Sequence, residues 1–524
     1  MLHKVSCKSY FDEVIDGTLF FVVLALVLFI GIGCFYITYP EGDVMEHIYD
    51  TYLVSVGYVP YRDFFEHHHP LLWYMLAPFI GLLHRNIEVI GWADYVTFCF
   101  FVWGLWFVYR IVTDFLSTRT AALLALIYVL LPDIFLYYVY YKPDNWMLTC
   151  IAGGCYFYFK YLKEMRRGDL VYSYAFFFVA FLFIQKAIFY YPVIGVASLW
   201  ALYKKDMKVK DFLIALVFPL ICTIGGLVYF YVMGCLKEYF FLNFIFNREM
   251  TKLFEGHQVS YPFYMGWVIM GFGLVVSLAL YKSENKYFRF YCWLFWLLLM
   301  QKIFYFSPFV YYWYEAYYFG VPLAAVGVVQ LAHKQKLLLY AVFIETLVYA
   351  SFMGYYVYHD IVWKTKHQLP SLQEYMIIKT NACDSYIGFG SGALSLFNYN
   401  PLYYWFLQGH VDIFGNKMGL HEIEDINQAI LDYKPKIIWL EDVAVRYNEQ
   451  EVKKPKILHK PNIELIEEYY EPTDFATNEG GFNFKKHQFE VFSYKHGFWR
   501  LKPQYWKKNC VFDESSGRWT YDED

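Results

Sequence analysis

Long apolar runs without charged residues fill the first two thirds of the chain, and short polar segments separate them. The first run, Thr18–Tyr39, has about 22 residues, which is enough to cross a bilayer as a helix. Further runs lie near residues 95–109, 120–131, 145–159, 171–184, 187–203, 212–234, 261–281, 290–300, 309–332 and 337–358. The pattern predicts about eleven membrane-spanning helices within residues 1–358. Leu71–Leu83 is apolar but too short for a span, and predicts an interfacial or re-entrant segment.

The polar segments between the runs predict how the helices are oriented. Lys4 and Lys8 precede the first run, and no small-residue cleavage site follows it, which predicts a retained first helix rather than a signal peptide. With the N-terminus inside, the inside loops carry about twice as many Lys and Arg residues as the outside segments. This asymmetry favours that orientation. It leaves residues 40–92 as a long outside loop and, after an odd number of crossings, places residues 359–524 outside.

The C-terminal residues 359–524 have ordinary polarity and a different pattern. Short strand-like segments at 386–390 and 436–440 flank a helix-like segment, Ile423–Tyr433. The order strand, helix, strand predicts a soluble α/β domain, and further strands are expected from about residue 485. Cys383 and Cys510 both lie in this domain and can form a disulfide if it faces an oxidising compartment.

The composition agrees with a membrane protein and gives no sign of a nucleic-acid partner or of a zinc or redox motif. The chain is 58% hydrophobic and 18% charged, whereas a soluble chain is about a quarter charged. A net charge of −4 gives no indication of a nucleic-acid partner. The sequence contains no CxxC pair, so a zinc or redox motif of that kind is not indicated.

The first outside loop carries the most specific chemistry. If Asp43–Val54 is helical, Asp43, Glu46 and His47 share one face through their spacing. A carboxylate pair on such a face can act as a general base or help to bind a divalent cation. The alternative is an ordinary polar helix at the membrane surface, with Asp43 as its N-cap.

This loop resembles a known enzyme family. An Asp just after the first helix, followed by GYVPYRDFFEHHHPLLWY at residues 57–74, is similar to the GT-C fold glycosyltransferases that take sugars from polyprenyl phosphates. These include the aminoarabinose transferase-like and protein O-mannosyltransferase-like enzymes. In outline the resemblance covers the whole chain, through its acidic first loop, many spans and large outward C-terminal domain. It implies an inverting reaction in which Asp43 removes the acceptor proton. The family often has Asp-Glu here, whereas Val44 follows Asp43 and the next acid is Glu46.

Two later positions also match the family. Asp144 fits its second acidic position at the outer end of a helix, with Lys142 as a neighbouring partner; the alternative is a helix cap. Lys186 interrupts an apolar stretch between two short runs, which predicts an outward hairpin. The resemblance implies that Lys186 binds the donor phosphate, and the alternative is a lysine that reaches the membrane interface.

The resemblance extends to the remaining loop residues and to one aromatic run. His68 or His69 is expected to face the site and bind phosphate or a metal, with Glu66 or Glu46 as further ligands. Arg62 can bind a phosphate, and Asp63 can hold the Arg62 side chain in place. Lys142 is a further candidate phosphate ligand. Tyr312 and Glu315 lie in an aromatic run similar to the one lining the family's cavity; an interfacial aromatic belt is the alternative. The cofactor stays open, with a divalent cation as one candidate.

These observations predict a glycosyltransferase that moves a sugar from a polyprenyl-phosphate-linked donor to a lipid, glycan or protein acceptor at the extracytoplasmic face. The family subtype implies an integral protein of a bacterial inner membrane. The alternative is a flippase or transporter of a lipid-linked glycan. Transporters usually show internal repeats with matched broken helices, and we find no such repeat in this sequence.

Overall fold

The computed structural model describes most of the chain. The described residues are 10–36, 42–83, 85–130, 139–249, 264–304, 313–334, 344–345, 347–348, 351, 355, 372–388, 396–405, 425–439, 463–473, 476–483, 488–495, 498–507, 510–513 and 518–521. Tyr312 and most of the predicted run 337–358 lie outside these residues.

Helices dominate the described residues, as the apolar runs predict. The α-helices are Tyr10–Tyr36, Gly42–Ser55, Leu71–Leu82, Val89–Ile111, Arg119–Val129, Pro143–Glu164, Arg167–Phe183, Tyr191–Tyr203, Val209–Ala215, Val217–Val232, Leu236–Phe240, Tyr264–Leu280, Lys286–Phe304, Tyr314–Lys334, Leu372–Lys379, Ile426–Tyr433 and Ile463–Tyr469. Short 3₁₀ segments lie at Gln185–Tyr190 and Pro503–Tyr505, and π-helical turns at Val112–Leu116 and Phe241–Phe246.

Several of these helices can cross a membrane. Among the described residues, five helical segments are long and apolar enough by length and composition, namely Ile15–Gly33, Val89–Leu116, Gln185–Tyr203, Val209–Val232 and Tyr314–Ala332. Apolar side chains such as Ile221 and Leu220 are largely exposed on their helix, which suits contact with lipid. A polytopic α-helical membrane protein is therefore confirmed, whereas the total of about eleven spans stays a prediction.

The chain divides into two compact units that are not continuous in sequence. The first contains residues 1–35, 94–226 and 251–359, and the second contains residues 36–93, 227–250 and 360–524. The division into residues 1–358 and 359–524 stays a prediction.

The first unit is a bundle of closely packed helices. Helix Pro143–Glu164 packs along Arg167–Phe183, and helix Tyr264–Leu280 packs along Tyr314–Lys334. A Cβ atom on Gly273 would lie 2.8 Å from the carbonyl oxygen of Gly320, so the second pair approaches backbone to backbone. Such small residues allow the close van der Waals contact that holds helices together in lipid.

The second unit contains the α/β structure that the sequence predicts near the C-terminus. Strands β1 (Tyr386–Gly388), β2 (Ile437–Trp439), β3 (Tyr470–Pro472) and β6 (Phe498–Leu501) form one sheet in the order β1-β2-β6-β3. Strands β1 and β2 are parallel, and helix Ile426–Tyr433 precedes β2 and buries Ile426 and Ile430 in the sheet core. Hairpins β4 (Ala476–Asn483) with β5 (Gln488–Lys495), and β7 (Cys510–Asp513) with β8 (Arg518–Tyr521), complete the strands.

A disulfide and a set of hydrogen bonds tie this unit together. The possible Cys383–Cys510 pair is confirmed, with Cα atoms 5.8 Å apart. Residues 396–405 contact the first loop: the Tyr403 hydroxyl donates to the Tyr61 carbonyl at 2.7 Å, and the Phe65 amide donates to the Tyr403 carbonyl at 2.9 Å. The Tyr49 hydroxyl donates to the Asn398 carbonyl at 3.0 Å. The first loop therefore has a fixed conformation that depends on the C-terminal segment.

Candidate active site

An ion-pair network in the first unit joins three of the predicted site residues. The Nζ atom of Lys186 contacts the carboxylate of Asp144 and lies 2.7 Å from Oε1 of Glu315. Lys186 lies in the 3₁₀ segment Gln185–Tyr190, which links helices Arg167–Phe183 and Tyr191–Tyr203 as the predicted hairpin requires. Asp144, Lys186 and Glu315 therefore meet, although they are distant in sequence.

A second lysine completes the network. The Nζ atom of Lys302, near the end of helix Lys286–Phe304, lies 3.5 Å from Oε2 of Glu315. The hydroxyl of Tyr190 donates to the same oxygen at 3.2 Å. The side chain of Glu315 is 2% exposed and that of Lys302 is 4% exposed, so the carboxylate bridges two cations away from water.

Helix N-termini add positive potential to this network. Asp144 lies in the first turn of helix Pro143–Glu164, and Glu315 in the first turn of Tyr314–Lys334. Pro143 at the start of its helix favours initiation there, and the amide of Tyr141 donates to Oδ1 of Asp94 at 2.9 Å, which fixes the preceding segment. The charges of the two lysines and the two carboxylates balance, so the two helix N-termini supply the positive potential that favours an anionic group such as a phosphate.

The second unit holds the predicted first-loop residues. Residues 43–54, whose helical arrangement the sequence left open, lie in helix Gly42–Ser55, with a half-buried Asp43 in its first turn and Glu46 one turn further on. After Gly57 the chain turns through Tyr61, whose φ of 68° is unusual for a bulky residue. Tyr61 is fully buried, and its hydroxyl donates to the carbonyl of His68. This backbone conformation is held by its surroundings, which is typical of functional loops.

Other first-loop residues have clear partners. Arg62 is exposed and donates twice to Asp63, from Nε and Nη2 at 2.8 Å each, as the sequence predicts. His69 is buried, with Nε2 3.2 Å from the hydroxyl of Tyr239. In the first unit, Lys142 is buried and its Nζ atom lies 6.0 Å from the centre of the Tyr140 ring.

Titratable groups cluster beneath this loop. Glu66 is fully buried, and its Oε1 accepts from the amides of His67 at 2.6 Å and His68 at 2.9 Å. Asp50 is also fully buried, and burial together with the negative charge of Glu66 raises its pKa well above the usual range. Burial and the neighbouring charge of His68 lower the pKa of His67 to about 3. His67 is therefore neutral at physiological pH.

The sequence identified some of these residues and missed others. Asp144, Lys186 and Glu315 come together, and so do Glu46, Glu66 and His68, which belong to one buried cluster of the second unit. Lys302 was not singled out, although a lysine at the end of an apolar run was the available signal. Asp50 was also missed; its spacing of four from Glu46 on one helix face could have identified it.

Three comparisons show which known proteins this chain is similar to. Residues 67–229 match the profile of a family described as dolichyl-phosphate-mannose-protein mannosyltransferase. A search of curated protein sequences finds no match. The crystal structure of ArnT from Cupriavidus metallidurans bound to undecaprenyl phosphate is similar with a TM-score of 0.57 and 11% identity, over 84% of this chain and 96% of that chain.

Two further structures are from Archaeoglobus fulgidus. The oligosaccharyltransferase in the apo form gives a TM-score of 0.49 at 10% identity, over 93% of this chain and 75% of that chain. The oligosaccharyltransferase AglB in complex with an inhibitory peptide and a dolichol-phosphate gives 0.46 at 10% identity, over 92% and 75%.

The match to ArnT over most of this chain and nearly all of the other shows that this protein has the GT-C fold. The family match over residues 67–229 agrees with this fold and with the class of membrane glycosyltransferase that the first loop predicts.

Proposed function

We propose that the protein transfers a sugar from a polyprenyl-phosphate-linked donor to an acceptor at the extracytoplasmic membrane face, with inversion at the sugar C1. The observation that carries this proposal is the partly buried network of Lys186, Asp144, Glu315 and Lys302, which lies at two helix N-termini suited to a phosphate. The binding of undecaprenyl phosphate by ArnT, a protein of the same fold, supports a donor of this chemistry. The acceptor class, whether lipid, glycan or protein, stays open.

In the proposed reaction Asp43 is the general base. Its carboxylate takes the proton of an acceptor hydroxyl, whose oxygen forms a bond to the sugar C1. The bond between C1 and the phosphate oxygen breaks, and the electron pair leaves with the polyprenyl phosphate. The position of Asp43 in the first turn of helix Gly42–Ser55 supports this role, because a negatively charged side chain is stabilised near a helix N-terminus. An ionised carboxylate is the form that can accept the proton.

Lys186 and Lys302 are proposed to stabilise the negative charge that develops on the leaving phosphate. Glu315 and Asp144 hold the ammonium of Lys186 in place before the donor binds, so little reorganisation is needed during the reaction. An ammonium has three donors, so Lys186 can contact a phosphate oxygen while it keeps its carboxylate partners.

The topology proposed from the loop charges places the N-terminus inside and residues 359–524 outside, in a bacterial inner membrane. The Cys383–Cys510 disulfide supports this orientation, because disulfides persist in oxidising compartments. A site facing outward cannot use cytoplasmic nucleotide sugars, so a lipid-linked donor fits the same orientation.

Sugar transfer by the purified protein tests the proposal. Full-length protein in detergent micelles is mixed with labelled polyprenyl-phosphate sugars and a membrane extract that supplies acceptors. We expect label to move from the donor to a new product while free polyprenyl phosphate accumulates. Because micelles have no two compartments, such turnover excludes a protein that only moves lipids across a membrane. The absence of transfer with every donor would contradict the proposal.

A further inference from the structure

Six titratable side chains in the second unit meet in one buried place. Helix Gly42–Ser55 contributes Glu46, His47 and Asp50, and the loop that precedes helix Leu71–Leu82 contributes Glu66, His67 and His68. Glu46, Glu66, His67 and His68 each offer one ligand atom, and these four atoms lie within 4.8 Å of one another. His47, Asp50 and Glu66 form an adjoining set by the same measure.

Burial makes this arrangement costly without a further positive charge. Glu46 is 2% exposed, and Asp50 and Glu66 are fully buried. Within the described part of the chain, Oε2 of Glu66 and both carboxylate oxygens of Asp50 are buried without a hydrogen-bond partner. Buried carboxylates are normally paired with a cation or bound to a metal, because the ionised form loses its hydration. A cation among these residues would remove that cost.

Asn247 determines which nitrogen of His67 carries its hydrogen. The Nδ2 atom of Asn247 lies 2.6 Å from the carbonyl of His67, 3.1 Å from that of Asn243 and 3.2 Å from that of Leu242, and its two hydrogens are shared among these three acceptors. Its Oδ1 atom is therefore the one that lies 3.0 Å from Nδ1 of His67, and it accepts the Nδ1 hydrogen. The Nε2 atom of His67 is left with a lone pair.

The same Nε2 atom faces a carboxylate. It lies 3.8 Å from Oε1 of Glu46, which is longer than a hydrogen bond. Two ligand atoms that each lie about 2.1 Å from one metal ion are at most about 4.2 Å apart, so this separation suits two ligands of a shared ion.

Glu66 orients His68 in the manner found around bound metals. Nδ1 of His68 lies 2.7 Å from Oε1 of Glu66, so its hydrogen is donated to the carboxylate and the other ring nitrogen keeps a lone pair. Histidines that bind a metal usually donate their other N–H to a carboxylate or carbonyl in this way. The amide of Asn247 and the carboxylate of Glu66 both supply this kind of partner.

We propose that Glu46, Glu66, His67 and His68 bind a divalent transition metal ion of the Zn²⁺ type. Two imidazole nitrogens and two carboxylates are a ligand set that favours Zn²⁺ or Co²⁺ over Mg²⁺ and Ca²⁺, which prefer oxygen ligands alone. The ion joins helix Gly42–Ser55 to the loop and so fixes the helix on which Asp43 lies. The proposal does not depend on the proposed reaction, because metal binding is measured without any sugar donor.

The alternative is that a proton, rather than a metal, relieves the cluster. A protonated Asp50 would remove one negative charge beside Glu66, and the remaining carboxylates, Glu46 and Glu66, would keep His67 and His68 as their neighbours. A measurement of zinc binding distinguishes a metal-bound cluster from a protonated one, because a cluster whose charge is balanced by a proton does not require the ion.

Metal content of the purified full-length protein is the test. The protein is prepared with an affinity tag that contains no histidine, stripped with a chelator, exposed to Zn²⁺ and passed through a desalting column. We expect about one Zn²⁺ per chain by mass spectrometry and a higher melting temperature than in the chelator. The variants Glu66→Gln and His67→Gln are expected to lose the ion. His69→Gln, a neighbouring buried histidine that contacts Tyr239 instead, is expected to keep it.

Co²⁺ provides a second measurement on the unaltered chain, in case the variants do not fold. We expect the strong visible absorption of four-coordinate Co²⁺ rather than the weak absorption of a six-coordinate ion. Protein that binds no Zn²⁺ after stripping and reloading would overturn the proposal. Equal Zn²⁺ content in His67→Gln and unaltered protein would overturn it as well, because the ion would then be bound elsewhere.

Discussion

The Oε1 atom of Glu315 lies 2.7 Å from the Nζ atom of Lys186, in the interior of the helical unit. Through its other oxygen, Glu315 also contacts Lys302 at 3.5 Å. One buried carboxylate thus keeps two ammonium groups close together, and Asp144 supplies a second negative charge to Lys186. The network is a structural element as well as a proposed phosphate site, and these two roles can be separated by substitution.

Glu315→Gln is expected to lower stability strongly. Without the carboxylate charge, Lys186 and Lys302 would repel each other in a buried place, and removing one partner of a buried ion pair costs about 3–5 kcal/mol. The measurement is the thermal unfolding midpoint in detergent. Glu249→Gln, which affects a pair with the exposed Arg248, is the matched control and is expected to change little. An unchanged unfolding midpoint for Glu315→Gln would contradict the claim that this carboxylate stabilises the folded protein.

Lys186→Ala is expected to reduce turnover more than it weakens donor binding. If Lys186 stabilises the leaving phosphate, its loss should lower kcat by about 10²–10³-fold. Transfer rates at varied donor concentration give kcat and KM for the variant and for the unaltered protein. Lys160→Ala, which removes another ion pair, with Asp169 at 3.1 Å, is the control and should keep kcat near that of unaltered protein. A change in KM alone would indicate ordinary binding by Lys186.

Cys383→Ser is expected to loosen the C-terminal part of the second unit. The disulfide closes a long chain segment, and losing such a bond typically costs about 2–5 kcal/mol. Thermal unfolding with and without a reducing agent checks this. Unaltered protein should lose stability on reduction, whereas Cys383→Ser should be insensitive to it. Cys99→Ser removes a free thiol and serves as the control.

Asn398→Ala is expected to destabilise the second unit through unsatisfied backbone groups. The Nδ2 atom of Asn398 donates to the carbonyls of Asn381 and Asp384 at 2.8 Å each, and its Oδ1 accepts from the hydroxyl of Thr380 at 2.9 Å. Each buried group left without a partner costs about 1–3 kcal/mol. Denaturant unfolding measures the loss. Gln428→Ala, at an exposed hydrogen bond, should be nearly neutral.

The helices and strands of this fold could be predicted from the sequence because each follows from a local pattern. The apolar run at 145–159 became helix Pro143–Glu164, and the segments at 386–390 and 436–440 became the paired strands β1 and β2. The contacts of Lys302 could not be predicted from the sequence. Its partner Glu315 lies on another helix, and no local rule states which helices of a bundle are neighbours.

The candidate site shows the same limit. A resemblance in the first loop drew attention to Asp43, Glu66 and the histidines, but the sequence left open which histidine faces which acid. For His67 the answer involves Asn247, which follows the π-helical turn Phe241–Phe246 and whose side chain contacts the His67 ring. Tertiary contacts of this kind are set by packing, not by spacing along one element.

The most direct test of the central claim is the rate of sugar transfer by Asp43→Asn. Asn has nearly the same size as Asp but cannot accept the acceptor proton. Asp206→Asn, at the half-exposed pair with Lys286, is the control for preparation and folding. We expect Asp43→Asn to lose about a hundredfold or more in kcat, with an unfolding midpoint equal to that of the control. Transfer at the rate of unaltered protein would contradict the account, because the general base would then be another residue.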